Sequence, residues 1–327
     1  MRFLLLILSL FFVVGCSSDY EKLLKAVEDE DFNSIERIVK STNPSLSSAE
    51  CKEVLVQSIK VDDKNIIQVL LYFCNENLEL DNSLKDLVRI AVENNAYSAI
   101  DALLAYGFDP DETILNNGHT LLSWAIFTKT NEIVELCMKY NADLNGTYND
   151  ITMIQLAISR EYLWVIQELI THGCDVYATN PKGHDAITFA LSHRKYEIAE
   201  IIIESIDSVP DQGIQFKHIK NLLLYWNDND EIGNTMIQAG YSLSSNQPYL
   251  QIAIKNMKFE AAYWLLDNGI DPTVEYQGIL DYAKRPLDEA YGMKARMLNS
   301  VSSGFSYSEN SPEIIELNKL IERLQNN

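Results

Sequence analysis

An all-α architecture of repeated helix pairs is what this sequence predicts, and three observations predict it. The first is a ladder of small residues: Ala26, Ser58, Ala91, Ala125, Ala157 and Ala190 fall 32, 33, 34, 32 and 33 residues apart, and Tyr225, Ala253 and Ala283 continue it less regularly. A fixed period of this length marks a repeat architecture, in which each unit buries its apolar face only against its neighbours. The second is an apolar residue three positions before each rung (Leu23, Leu55, Val88, Leu122, Ile154, Ile187, Leu222, Leu250, Leu280) and another one position after it in eight of nine cases (Val27, Ile59, Val92, Ile126, Ile158, Leu191, Trp226, Ile254). Spacings of three and four place these on one helix face. The third is a second apolar pair 12 and 13 residues after the rung, as in Ile38-Val39, Leu70-Leu71, Leu103-Leu104, Leu169-Ile170 and Leu265-Leu266. Each unit is therefore two short helices joined by a turn, in a solenoid of about nine units, some of them degenerate.

Taken in order, residues 1–15 stand apart from the repeats. Arg2 precedes a run from Phe3 to Val14 that is almost wholly apolar, and the run leaves through Gly15 into Cys16. A charged start, an apolar middle and a small-residue exit are the parts of a secretory signal peptide. The run is too short to span a membrane, which takes roughly 20 residues. The cysteine after the small residue resembles the lipobox of bacterial lipoproteins. That resemblance implies cleavage before Cys16, lipid on its thiol, and a lipid-anchored protein of the cell envelope. Ser17-Ser18, with no aspartate in second place, implies the periplasmic face of the outer membrane.

The repeat solenoid is expected over residues 16–324. Several units close with a glycine and an aspartate two residues on: Gly107/Asp109, Gly173/Asp175 and Gly269/Asp271. Glycine there supplies the left-handed conformation that ends a helix. In the ninth unit, Leu280-Asp281-Tyr282-Ala283-Lys284 is expected to form the first helix and residues 312–324 the closing helix, with an insertion at 285–311 whose serine-rich latter half is a mobile loop.

The fourth unit, NNGHTLLSWAIFTKTNEIVELCMKYNADLN from Asn116 to Asn145, tracks the G-x-T-x-L-x-x-A…EIV-x-x-L…A-D-x-N pattern of ankyrin repeats. The fifth, sixth and eighth units match well; the first, second and seventh are degenerate. The chain thus resembles an ankyrin-repeat protein over nearly all of its length after the leader, which implies a concave face made of hairpin tips and first helices that grips another protein. Carried over position by position, the resemblance assigns partner contacts to Asn117, His119, Phe127 and Thr128 in the fourth unit, with Tyr148 on the adjoining hairpin. It assigns Asn149 and Arg160 to the fifth and Lys182, His184 and His193 to the sixth. Phe127 falls where the family is usually solvent-facing; it is either an exposed hot spot or packed against the neighbouring repeat. Trp164, on a second helix, marks either a second surface or local repacking.

The chain carries 26 Lys+Arg against 47 Asp+Glu, a net charge of −21. Such a surface repels nucleic acid and favours a basic partner. No G-x-S-x-G elbow, phosphate-cradling glycine loop or HExxH helix is present, so no catalysis is expected, and neither a cofactor nor a metal. Cys51 opens one helix and Cys74 ends its partner, so they are either a disulfide or two buried thiols; Cys137 lies on an apolar face. The functional expectation is a monomeric, non-catalytic envelope lipoprotein that binds a basic protein. Two uses compete: an immunity protein that occludes a secreted toxic effector, and a periplasmic scaffold for a resident enzyme or assembly.

Overall fold

The computed structural model describes residues 18–42, 46–75, 80–206, 208–227, 230–244, 246–276, 285–299 and 307–326. The leader, Cys16 and the helix expected at Leu280–Lys284 lie outside these residues. Among the described residues the fold is all-α: eighteen helices and two short strands. None of the helices is long and apolar enough to cross a membrane.

The chain divides into two compact units, residues 1–148 and 149–327. The first holds four helix pairs: α1 (Asp19–Glu28) with α2 (Phe32–Thr42), α3 (Ser48–Val61) with α4 (Lys64–Cys74), α5 (Leu80–Glu93) with α6 (Tyr97–Tyr106), and α7 (Leu121–Thr128) with α8 (Asn131–Lys139), followed by strand β1 (Thr147–Tyr148). The second opens on strand β2 (Ile151–Thr152) and holds five pairs: α9 (Met153–Ser159) with α10 (Leu163–Thr171), α11 (Ala186–Ser192) with α12 (Tyr196–Glu204), α13 (Gln212–Leu224) with α14 (Asp230–Gln238), α15 (Tyr249–Lys255) with α16 (Phe259–Asp267), and α17 (Pro286–Leu298) with α18 (Pro312–Asn326). In both units first helices stack on first helices, as in α1·α3, α3·α5, α9·α11 and α13·α15, and second on second, as in α2·α4, α4·α6 and α12·α14.

The rungs of the ladder have a physical role. Ala91, Ala125, Ala157, Ala190 and Ala253 are fully buried. The carbonyls of Ala26, Ala91, Ala125, Ala157, Ala190 and Ala253 each accept the N–H of the residue five positions on, at 2.8–3.0 Å: Asp31, Ala96, Thr130, Tyr162, Lys195 and Lys258. In these six pairs that bond closes the first helix and starts the second, in the manner of a Schellman cap. The residue before each donor sits in the left-handed region: Glu30, Asn95, Lys129, Glu161, Arg194 and Met257, at φ between 51° and 59°. A larger side chain than alanine on the rung would force the paired helices apart, which is why the position stays small.

Six of the first helices start on side-chain caps. Ser18, Ser47, Thr120 and Thr152 form capping boxes with Glu21, Glu50, Ser123 and Gln155, and Asp185 and Asp211 cap α11 and α13. These caps satisfy N–H groups that would otherwise face the hairpin without a partner.

Two expectations need correction. Residues 285–299 are not an insertion: α17 packs on α15 and α18 as the first helix of the ninth pair. Its apolar face is Pro286, Ala290, Met293 and Met297, with Glu289 buried among them and held by Arg296 Nη2 at 2.8 Å. The charged Glu289 on the inward face and the competing rung at Ala283 obscured this helix in the sequence. Tyr225 is not a mid-helix rung but the C-cap of α13. Of the two alternatives for Cys51 and Cys74, the structure holds two buried thiols in contact. The hydrogen bond to Cys51, with burial, pushes the Cys74 thiol up.

Candidate functional site

The first unit presents a shelf of four rings. Thr120 caps α7, its hydroxyl accepting the Ser123 N–H at 3.3 Å. This fixes the residue before it, and His119 turns inward, 1% exposed, with Nδ1 3.0 Å from Ser123 Oγ. Tyr148, from β1, stacks on the imidazole with ring centres 3.9 Å apart and planes 14° from parallel. Trp124 meets the imidazole edge-on at 5.6 Å and Phe127 meets it at 5.5 Å. Trp124 and Phe127, three residues apart on α7, share one face and lie 6.4 Å apart. Phe127 is 41% exposed, while Tyr148 and Trp124 are half-buried.

Phe127 and Tyr148 therefore lie where a partner can reach them. His119 does not; it is a buried support, and burial pushes its imidazole down, leaving a neutral ring that stacks without the cost of a buried charge. Asn117 and Thr128 are exposed beside the shelf, but the Thr128 hydroxyl already donates to the Trp124 carbonyl at 2.9 Å. Trp124 was missed by sequence reasoning. Its position three residues before Phe127 was the available signal.

In the second unit Asn149, Lys182, His184 and His193 line one recess of about 460 Å³, with Asp150, Ile151, Asn180, Pro181 and Phe189. Arg160, the C-cap of α9, is exposed and does not line it. The loop at 180–184 is built around Asn180, 6% exposed, which sequence reasoning also missed. Its Oδ1 accepts the N–H of Lys182 and of His184, both at 3.0 Å, and its carbonyl accepts the Gly183 N–H at 2.8 Å. Gln155 Nε2 donates to the His184 carbonyl at 2.6 Å. His193 Nδ1 donates to the Phe189 carbonyl at 2.8 Å, and its ring lies 4.1 Å from that of Phe189.

Behind this loop a polar network is sealed inside the unit. Asp185 Oδ2 accepts from Lys217 Nζ at 2.7 Å and from His218 Nε2 at 3.0 Å, and the Tyr241 hydroxyl lies 2.8 Å from His218 Nδ1. Asp185, His218 and Tyr241 are each 3% exposed or less. Burial alone would raise the Asp185 carboxyl; the His218 and Lys217 contacts overcome it and hold the group well below the usual carboxylate range. Asp185 also caps α11, so the network joins two successive helix pairs of this unit.

Residues 88–180 and 122–212 match a family described as ankyrin repeats in three copies. Ankyrin repeats occupy this part of the chain. They are a protein-interaction fold, and the helix pairs outside 88–212 follow the same plan. An ankyrin repeat protein of Fowlpox virus (strain NVSL) is 24% identical over 157 residues, 47% of this chain and 36% of its own length. A second ankyrin repeat protein of that virus is 28% identical over 142 residues, 42% of this chain and 19% of its own. The chain thus spans about a third and a fifth of the curated relatives it matches. Among solved structures, the ankyrin repeat domain of Bcl-3, an IkappaB family member, has a TM-score of 0.44 at 18% identity, covering 56% of this chain and 85% of that one. A complex of a predatory endopeptidase from Bdellovibrio bacteriovorus with an immunity protein has a TM-score of 0.40 at 21% identity, covering 56% of this chain and 97% of the matched one.

Proposed function

We propose that this chain is a non-catalytic, protein-binding lipoprotein of the bacterial cell envelope, anchored through lipid on Cys16 at the periplasmic face of the outer membrane. In that place it acts as an immunity protein, occluding a basic, secreted toxic effector. The observation that carries the protein-binding part is the aromatic shelf. Phe127 and Tyr148 offer apolar area to a partner while His119 and Trp124 hold them in place, so little side-chain entropy is lost on binding. The net charge of −21 draws a basic partner and speeds its encounter at low salt. Occlusion needs a rigid face and slow release, and no chemistry from this chain.

The test is affinity capture from envelope extract with the lipid-free chain from Ser17 onward, at low and high salt. The expected result is one basic secreted protein that stays bound in high salt and is lost with Phe127→Asp, at an unchanged melting temperature. Co-production of this chain should then rescue growth from that protein's toxicity. Capture of an abundant resident enzyme or assembly, shed as salt rises, would replace immunity with scaffolding. A large drop in melting temperature for Phe127→Asp would place Phe127 in the core. Cys16→Ala should free the protein from membranes or leave an uncut precursor; unchanged retention and processing would end the lipoprotein assignment.

A further inference from the structure

The chain as a whole is acidic, but the recess of the second unit is lined by three cationic or cation-forming groups, Lys182, His184 and His193, against one carboxylate, Asp150. We propose that this recess takes the carboxylate side chain of an aspartate or glutamate on the bound protein and so sets that protein's register on the second unit. The inference rests on the protein-binding function above and adds an anion-selective contact to a surface otherwise suited to basic groups.

Three features carry it. The backbone that presents Lys182 and His184 is already fixed through Asn180 and Gln155, so binding does not have to order it. The His193 ring is oriented by its Nδ1–H bond to the Phe189 carbonyl, which leaves Nε2 as the edge for a ligand, a donor to a carboxylate when the ring carries its second proton. The donors that remain are side chains: the N–H groups of Lys182, Gly183 and His184 are all taken by Asn180. A chain's terminal carboxylate is captured by backbone N–H groups, so the recess selects a side-chain carboxylate instead.

The contact is pH-dependent. Burial pushes the His184 imidazole down, and Lys217, His193 and Lys182 add to this, while Asp185 opposes it. The free recess therefore holds His184 neutral at neutral pH. An arriving carboxylate favours the imidazolium, so binding takes up a proton and strengthens as pH falls below neutrality.

The test uses the full chain in neutral detergent and two peptides bearing an uncharged fluorophore, followed by anisotropy. One alternates glutamate and serine and has an amidated C-terminus; the other has uncharged side chains and a free C-terminus. The glutamate peptide should bind, more tightly at lower pH. Lys182→Gln, a change on an exposed side chain, and the double variant His184→Gln/His193→Gln should each weaken it about tenfold or more. Lys60→Glu, a reversal on the other unit, should leave it unchanged, and the double variant should lose the pH dependence. Equal binding by wild type and both recess variants, tighter binding of the free C-terminus, or a flat pH profile would overturn the proposal. No partner protein enters this assay, so its failure would leave the Phe127→Asp contrast intact, and failure of that contrast would leave this result standing.

Discussion

Asp101 shows how one side chain serves three helices. From α6 its carboxylate accepts from Lys64 of α4, from Lys139 of α8 at 2.7 Å, and from the Tyr140 hydroxyl at 2.6 Å. Burial would raise its pKa, but these donors hold it at about 2. The folded value lies below that of an unfolded aspartate, near ~3.9, so its contribution is complete at neutral pH and is lost as pH falls from about 4 toward 2. Asp101→Asn should lower the melting temperature at pH 7 by about 2–4 °C, with the difference vanishing near pH 2; scanning calorimetry across that range checks it. A difference that persists at pH 2 would mean packing, not charge, is lost. At this scale the sequence was only partly legible. Phe127 could be flagged because its repeat position is usually solvent-facing. The burial of His119 could not, because it depends on Tyr148, 29 residues away, lying across its ring.

The turn between the helices of a pair is the most regular element. In the first six pairs and the eighth it imposes a left-handed backbone, filled by a residue other than glycine, at a cost of about 1 kcal/mol. Met257→Gly relieves that strain at a side chain 45% exposed, so little packing is lost. It should stabilise the protein by about 0.5–1 kcal/mol, seen as a higher urea midpoint at constant slope. A lower midpoint would show that Met257 packs against its neighbours. The helix pairs themselves were legible because apolar spacing and rung size both follow from packing. α17 was not, since its inward face carries a charge whose compensation by Arg296 lies seven residues away.

At the scale of the whole fold, nine pairs among the described residues divide between two compact units, and α17 with α18 is the fifth pair of the second. α18 buries Ile314, Leu317, Leu320, Ile321 and Leu324 and turns Glu313 and Glu322 outward. Deleting residues 285–327 should uncover the apolar faces of α15 and α16. The shortened chain should melt lower and scatter light at concentrations where the full chain stays clear. A clear solution with an unchanged melting curve would show that the eighth pair can end the stack unaided. The count of units was readable in advance, because period is a property of the chain. Where charge gathers was not: a net value of −21 gives no hint of a recess lined by Lys182, His184 and His193.

The left-handed turns also make a molecular ruler. Glu161, Arg194 and Met257 carry exposed side chains on a backbone already locked by the rung carbonyls, at the first, second and fourth levels of the second unit. Spin labels placed there would report the pitch of that stack, about 10 Å per level, with little slack from the attachment points. A partner that bends or tightens the repeats would then be read directly as a change in spacing.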